Sequence, residues 1–236
     1  MQIILILISA LTPVAVLLFY IFRKDKVQPE PTKWLLKAFG FGVLSTFLSF
    51  VFSVPVGLLL GMEMDANTYS SIREAFTDAF VLAAIPEELA KLIMLWLLLR
   101  KNPHFDERFD GIVYAVCIGM GFAGIENVMY LIGGIENGTW IGTGIVRALF
   151  SVPAHFLFAV LMGYYYSIYN FGIDRSPKAK AMILVAPILA HGLFDGILFC
   201  MNVDEGLALI CLFLFLYFFN KLRKKVKDRI NSLIGN

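Results

Sequence analysis

Apolar runs of about 20 residues recur from one end of this chain to the other, and as a helix each is long enough to cross the roughly 30 Å hydrocarbon core of a bilayer. In lipid every backbone N–H and C=O must be bonded inside the protein, which makes the helix the natural form for such runs. Composition agrees, since 59% of the 236 residues are hydrophobic and 16% charged, against about 25% charged in a soluble domain. The expected fold is an all-α polytopic membrane protein. It would be a single membrane domain over 1–236, with about seven transmembrane helices around an interior polar active site. The runs place the spans at 2–22, 35–60, 76–99, 109–132, 145–169, 181–201 and a short last one at 207–219.

The first run could pass for a signal peptide. It has no basic region before it and no small-x-small cleavage site, and Arg23, Lys24 and Lys26 follow it, which favours a retained span with its N-terminus outside. That orientation puts Lys33, Lys37, Arg100, Lys101, Arg108, Arg175, Lys178 and Lys180 inside, together with the basic tail 220–236. Seventeen bases then lie inside against Arg73 outside, where Glu63, Asp65, Glu74, Glu136, Asp204 and Glu205 also fall. This is the positive-inside pattern, so a cytoplasmic C-terminus is expected. The basic tail is explained by its membrane flank and by anionic lipid, and no nucleic-acid partner is expected. Cys117, Cys200 and Cys211 all fall in spans without a CxxC spacing, which reads as small buried groups.

Six ionisable side chains, Glu87, Glu88, Glu126, His155, His191 and Asp195, interrupt four of these runs. Facing lipid, each would be costly, so the four spans are expected to turn them toward one hydrated interior site. At about 1.5 Å per residue they fall between the midplane and the outer half of the bilayer, which predicts a cavity opening outward.

In the third span, Pro86-Glu87-Glu88-Leu89-Ala90-Lys91 places Lys91 three and four residues after two carboxylates, where it can neutralise part of the pair. Adjacent helical residues differ by about 100°, so one glutamate can face a cavity while the other supports it. A carboxylate in such a pocket is a candidate general base on water. Pro86 is expected to loosen the backbone just before the pair. In the fourth span Glu126 follows Gly119, Gly121, Ala123 and Gly124, small residues that permit close packing, with Asn127 as a supporting hydrogen-bonding group. His191 and Asp195 share one face of the sixth span, and the fifth supplies His155. Glu126, His155, His191 and Asp195 would suit zinc with an open position for water. A metal-free reading stays open beside it, with a glutamate as base and the histidines stabilising an oxyanion. Arg147 lies where it can snorkel, bind a substrate carbonyl or pair with Glu126, and His104 reads as a solvated loop residue.

In order along successive spans, Glu87-Glu88-x-x-Lys91, Phe122-x-Gly124-x-Glu126, Arg147 followed by His155, and His191-x-x-x-Asp195 resemble the PrsW-type intramembrane proteases, part of a wider group that includes the CAAX prenyl proteases. The likeness covers about 75–196. It implies a bacterial plasma-membrane endopeptidase that makes the first regulated cut, on the outer side, in a single-span anti-sigma factor during a stress response. It further implies that Glu87, Glu88 and His191 are catalytic, supported by Lys91, Glu126, Arg147, His155 and Asp195. CAAX-type relatives have a longer spacing to Arg in the first motif and a histidine at the position of Glu126, which argues against a prenylated substrate. The rival from another class is a proton- or ion-coupled transporter, since a buried Glu, His and Asp cluster also describes an ion relay. No clear inverted repeat joins the two halves of the chain, which weakens that rival.

Overall fold

A computed structural model describes residues 2–25, 28–62 and 68–234, and every described regular element is helical. Lys26, Glu63 and Asp65, used above for orientation, lie outside the described residues. Six helical stretches are long and apolar enough to cross a membrane: α1 (Gln2–Lys24), α2 (Thr32–Leu60), α5 (Asp110–Gly133), the stretch Trp140–Asn170, α8 (Pro177–Cys200) and α9 (Glu205–Leu233). The remaining expected span is present in pieces. It consists of α3 (Ile72–Asp78), a π-helical segment at Ala79–Ala84 and α4 (Ile85–Leu99), which follow one another without a break. Trp140–Asn170 is built the same way, from α6 (Trp140–Val146), a π-helical segment at Arg147–Ser151 and α7 (Val152–Asn170).

At the centre stands α5, buried without interruption from Asp110 to Gly124 and packed against α7, α2 and α1. Lipid is as apolar as leucine, so helices associate here through close packing more than through hydrophobic burial. Glycines make that packing possible. A Cβ at Gly121 would run into the Phe39 carbonyl of α2, and one at Gly163 of α7 would overlap the Gly111 and Ile112 backbone. Tyr114, Phe122, Phe158 and Met120 fill the interior between these contacts. Leu58, Leu59, Ile3, Leu36 and Phe213 point outward, as lipid-facing side chains should.

The helix that carries the last expected span, 207–219, is longer than that span. α9 runs on through the basic segment to Leu233, since no breaker follows Phe219 and Leu222, Val226, Ile230 and Leu233 continue a buried stripe at helical spacing. Arg229 ties this extension to α7 by donating to the Tyr164 hydroxyl at 2.7 Å, with its guanidinium 4.4 Å from the Tyr164 ring centre.

Candidate active site

Two prolines set the local backbone. Proline has no N–H and its ring crowds the carbonyl four residues back. For Pro86 and Pro153 those carbonyls belong to Leu82 and Leu149, and each lies inside one of the two π-helical segments. A π turn widens the helix locally, and here it occurs one turn before Glu87 and Glu88 in one span and before His155 in another. The expectation of a loosened backbone at Pro86 thus takes a specific form, and Pro153 repeats it.

The side chains meet as a continuous polar chain. Lys91 Nζ donates to Glu88 Oε1 at 2.9 Å and to Glu87 Oε2 at 3.3 Å, and lies 3.2 Å from His155 Nδ1. With Nδ1 accepting from an ammonium, the His155 proton belongs on Nε2, which faces Glu126 Oε2 at 2.8 Å. Glu126 also accepts from Arg147 Nη2 at 2.7 Å, and Arg147 Nε donates to Asn127 Oδ1 at 2.9 Å. Asn127 Nδ2 in turn donates to the Ala10 carbonyl of α1 at 2.9 Å. On the other side, His191 Nδ1 is 2.9 Å from Glu88 Oε1, and its Nε2 is 2.9 Å from Asp195 Oδ2 and 3.9 Å from Glu87 Oε2. All eight candidate residues from the sequence therefore join one cluster. Arg147 turns to Glu126 and does not snorkel. His104 is exposed in the loop after α4.

The two adjacent glutamates divide as the 100° rotation suggests. Glu87 keeps 14% of its side chain exposed and lines a cavity of about 310 Å³, while Glu88 is fully enclosed behind it. Aromatic rings surround the polar groups. Phe158 stacks on His191 with 4.7 Å between centres, and the Lys91 ammonium sits 3.9 Å over Phe122. The cavity is lined by Ser53, Asp78, Tyr130, Arg147, Asp195 and Phe199 among others, so it lies toward the side of the bundle where α2 meets α3, α5 meets α6 and α8 meets α9.

Sequence reasoning missed Asp78, Thr46, Ser49 and Ser53, all on the cavity wall. Asp78 accepts from the Tyr69 hydroxyl at 2.8 Å. The α2 hydroxyls have a signal that could have found them, a Ser/Thr row at helical spacing inside an apolar run.

A metal fits this donor set. One ligand atom from each of Glu87, Glu88, His155 and His191 lies within 4.8 Å of the others, the one such group among the described residues. Each imidazole turns Nδ1 inward and backs Nε2 with a carboxylate, Glu126 for His155 and Asp195 for His191, the support that orients metal-binding histidines. Glu88 Oε2 is buried without a hydrogen-bond partner, an oxygen left for a cation. The four converging residues include both glutamates of α4, with Glu126 and Asp195 standing behind the imidazoles.

A family model described as PrsW family intramembrane metalloprotease matches residues 30–220. The chain belongs to the PrsW family. It is 35% identical over 234 residues to Protease PrsW of Clostridioides difficile, covering 96% of this chain and 94% of the relative. Protease PrsW of Bacillus subtilis is 32% identical over 226 residues, with 95% of each chain covered, and that of Geobacillus kaustophilus is 34% identical over 193 residues, with 81% and 79% covered. No solved structure matches the chain. Family membership and the enclosed Glu/His cluster make this a multi-pass, membrane-embedded protease.

Proposed function

We propose that the protein makes the first cut in a single-span, anti-sigma-factor-like substrate of a bacterial plasma membrane, with Glu87 as general base. The observation that carries this reading is the division between the glutamates: Glu87 faces the cavity 3.9 Å from His191 Nε2, and Glu88 is sealed behind it. A general base must reach water, and Glu87 has that access. Glu88 holds His191 and Lys91 in place. His191, oriented by Asp195, and His155, oriented by Glu126 and Arg147, present Nδ1 toward the site. His191, which lines the cavity with Nε2 near Glu87 and Asp195, can when protonated on both nitrogens stabilise charge developing on the scissile carbonyl oxygen, while His155 accepts from Lys91 and holds that ammonium in place. Glu87, Glu88, His155 and His191 would hold a divalent ion such as zinc, which when bound supplies Lewis acidity.

The likeness to PrsW-type proteases supports the substrate class, and the positive-inside pattern supports an outside N-terminus. With that orientation the cavity side of the bundle is the outer side, where the cut falls. Co-reconstitution with single-span anti-sigma-factor peptides, with products mapped by mass spectrometry, tests the reading. New termini in the outer half of the span, lost in Glu87→Gln, are expected. Intact substrate beside folded wild-type protein would overturn it.

A further inference from the structure

In the cavity that Glu87, His155 and His191 share, α2 presents a wall to which nothing above gives a role. Its small residues divide into two sets. Gly42 abuts the Ile118 backbone of α5, and Ser45 donates to the Gly42 carbonyl at 2.6 Å, so these serve helix packing. Thr46, Ser49 and Ser53 instead line the cavity. Ser49 donates to the Thr46 carbonyl at 2.8 Å, leaving its lone pairs for a donor from the cavity. Thr46 is 2% exposed and its hydroxyl makes no hydrogen bond, although a helical threonine can bond back to the preceding turn. An unpaired buried hydroxyl is costly, and a ligand that completes it is the natural account of its presence.

The chemistry of that ligand follows from the wall. It offers neutral donors and acceptors and no charge, which suits amides. Thr46 to Ser53 spans about 10.5 Å of helix axis, the length of about three residues of extended chain. A transmembrane substrate must leave its helix to be cut, and in lipid the freed N–H and C=O groups then lack partners. We propose that Thr46, Ser49 and Ser53 form a docking wall for the main chain of an unwound substrate segment, holding about three residues extended against Glu87 and His191. This rests on the cavity accepting a membrane-spanning peptide, as proposed above. Recognition through the main chain is blind to most side chains, so the preferred substrates are single-span peptides with Gly or Pro near the cut, where unwinding costs least.

The test uses the full chain in nanodiscs, carrying Glu87→Gln, and a fluorescent synthetic single-span peptide with a Gly-Pro pair in the outer half of its span. Thr46→Val, Ser49→Ala and Ser53→Ala, singly and together, are compared with the parent, with melting temperature as the check on folding. Each lost hydroxyl should weaken binding about fivefold, and Thr46→Ser should retain parental affinity. A companion peptide with esters in place of the amides beside Gly-Pro should bind the parent more weakly and lose little further in the triple variant. Binding by the folded triple variant within twofold of the parent, loss in Thr46→Ser equal to that in Thr46→Val, or no binding by the folded parent would each overturn the wall. Cleavage by the unsubstituted enzyme is read separately. Hydroxyl-dependent binding without cleavage sinks the protease reading alone, and cleavage with hydroxyl-independent binding sinks the wall alone.

Discussion

Glu88 Oε1 and His191 Nδ1 lie 2.9 Å apart across 103 residues of sequence, both buried, and Lys91 Nζ meets the same Glu88 oxygen at 2.9 Å. Glu88→Gln and His191→Ala should each lower cleavage by at least about 100-fold, and the double variant should be little worse than either, because groups acting as a unit are not additive. Rates of reconstituted protein on one single-span peptide check this, and independent losses that multiply would refute the coupling.

Arg147 acts at a distance from the cavity centre. Its Nη2 and Nε engage Glu126 and Asn127 at once, a forked grip that an ammonium cannot reproduce. Arg147→Lys should cost about 10–100-fold in activity through the loosened Glu126 and His155. Unchanged turnover would show that the histidine needs no such support.

Lys91 compensates two buried carboxylates. Lys91→Met should destabilise the protein by about 3–5 kcal/mol, the usual cost of stranding a buried charge. A divalent ion bound by the same carboxylates would replace the lost charge. Zinc should therefore raise the melting temperature of Lys91→Met more than that of wild type, and chelator should reverse the gain. An equal response in both proteins would count against a cation at Glu87 and Glu88.

Gly121 and Gly163 are placed where a Cβ meets backbone, which cannot move aside as a flexible side chain would. Alanine at either position should cost about 1–3 kcal/mol by overpacking. Gly142 of α6 has open space around it, so Gly142→Ala should be neutral or stabilising by up to about 1 kcal/mol through helix propensity. Thermal melting in one detergent distinguishes the three.

The link between α1 and α2 carries two carboxyls whose affinity for protons is raised. Burial pushes the Asp25 carboxyl up, with Glu107 adding to the rise and the Glu30 backbone N–H opposing it. Burial also raises Glu30, with the Asp25 and Asp106 charges adding to it, while the Tyr114 hydroxyl, which donates to Glu30 Oε2, and Asp110 oppose it. With folded values above unfolded ones, the folded state holds more protons. This contribution is fully present below the ordinary carboxylate range and is lost as pH rises through the folded values. Melting temperature should fall over that rise, and Glu30→Gln should flatten the slope. A slope unaffected by Glu30→Gln would place its origin elsewhere.

Much of the fold was readable because lipid permits so few solutions. The spans at 2–22, 35–60 and 109–132 fall on α1, α2 and α5 to within a few residues. The full length of α9 was not readable, because hydropathy drops at Lys221 while helical packing does not, and the stripe from Leu222 to Leu233 makes sense only with α7 beside it. The π-helical segments were half visible. Pro86 and Pro153 mark a disturbed ladder, yet whether a helix answers with a kink or a widened turn depends on what it packs against.

At the site, sequence alone determined which residues must gather, since six ionisable groups in apolar spans have few places to go but one interior. Tertiary structure decided their order. It put Glu87 on the cavity and Glu88 behind it, turned Arg147 to Glu126, and set both imidazoles with Nδ1 inward. It also decided that Thr46, Ser49 and Ser53 face the cavity while Gly42 faces α5. Hydropathy fixes how deep a residue sits, because depth follows from position along a helix. Which way it points depends on how neighbouring helices rotate and pack, and that is settled by contacts between residues a hundred positions apart.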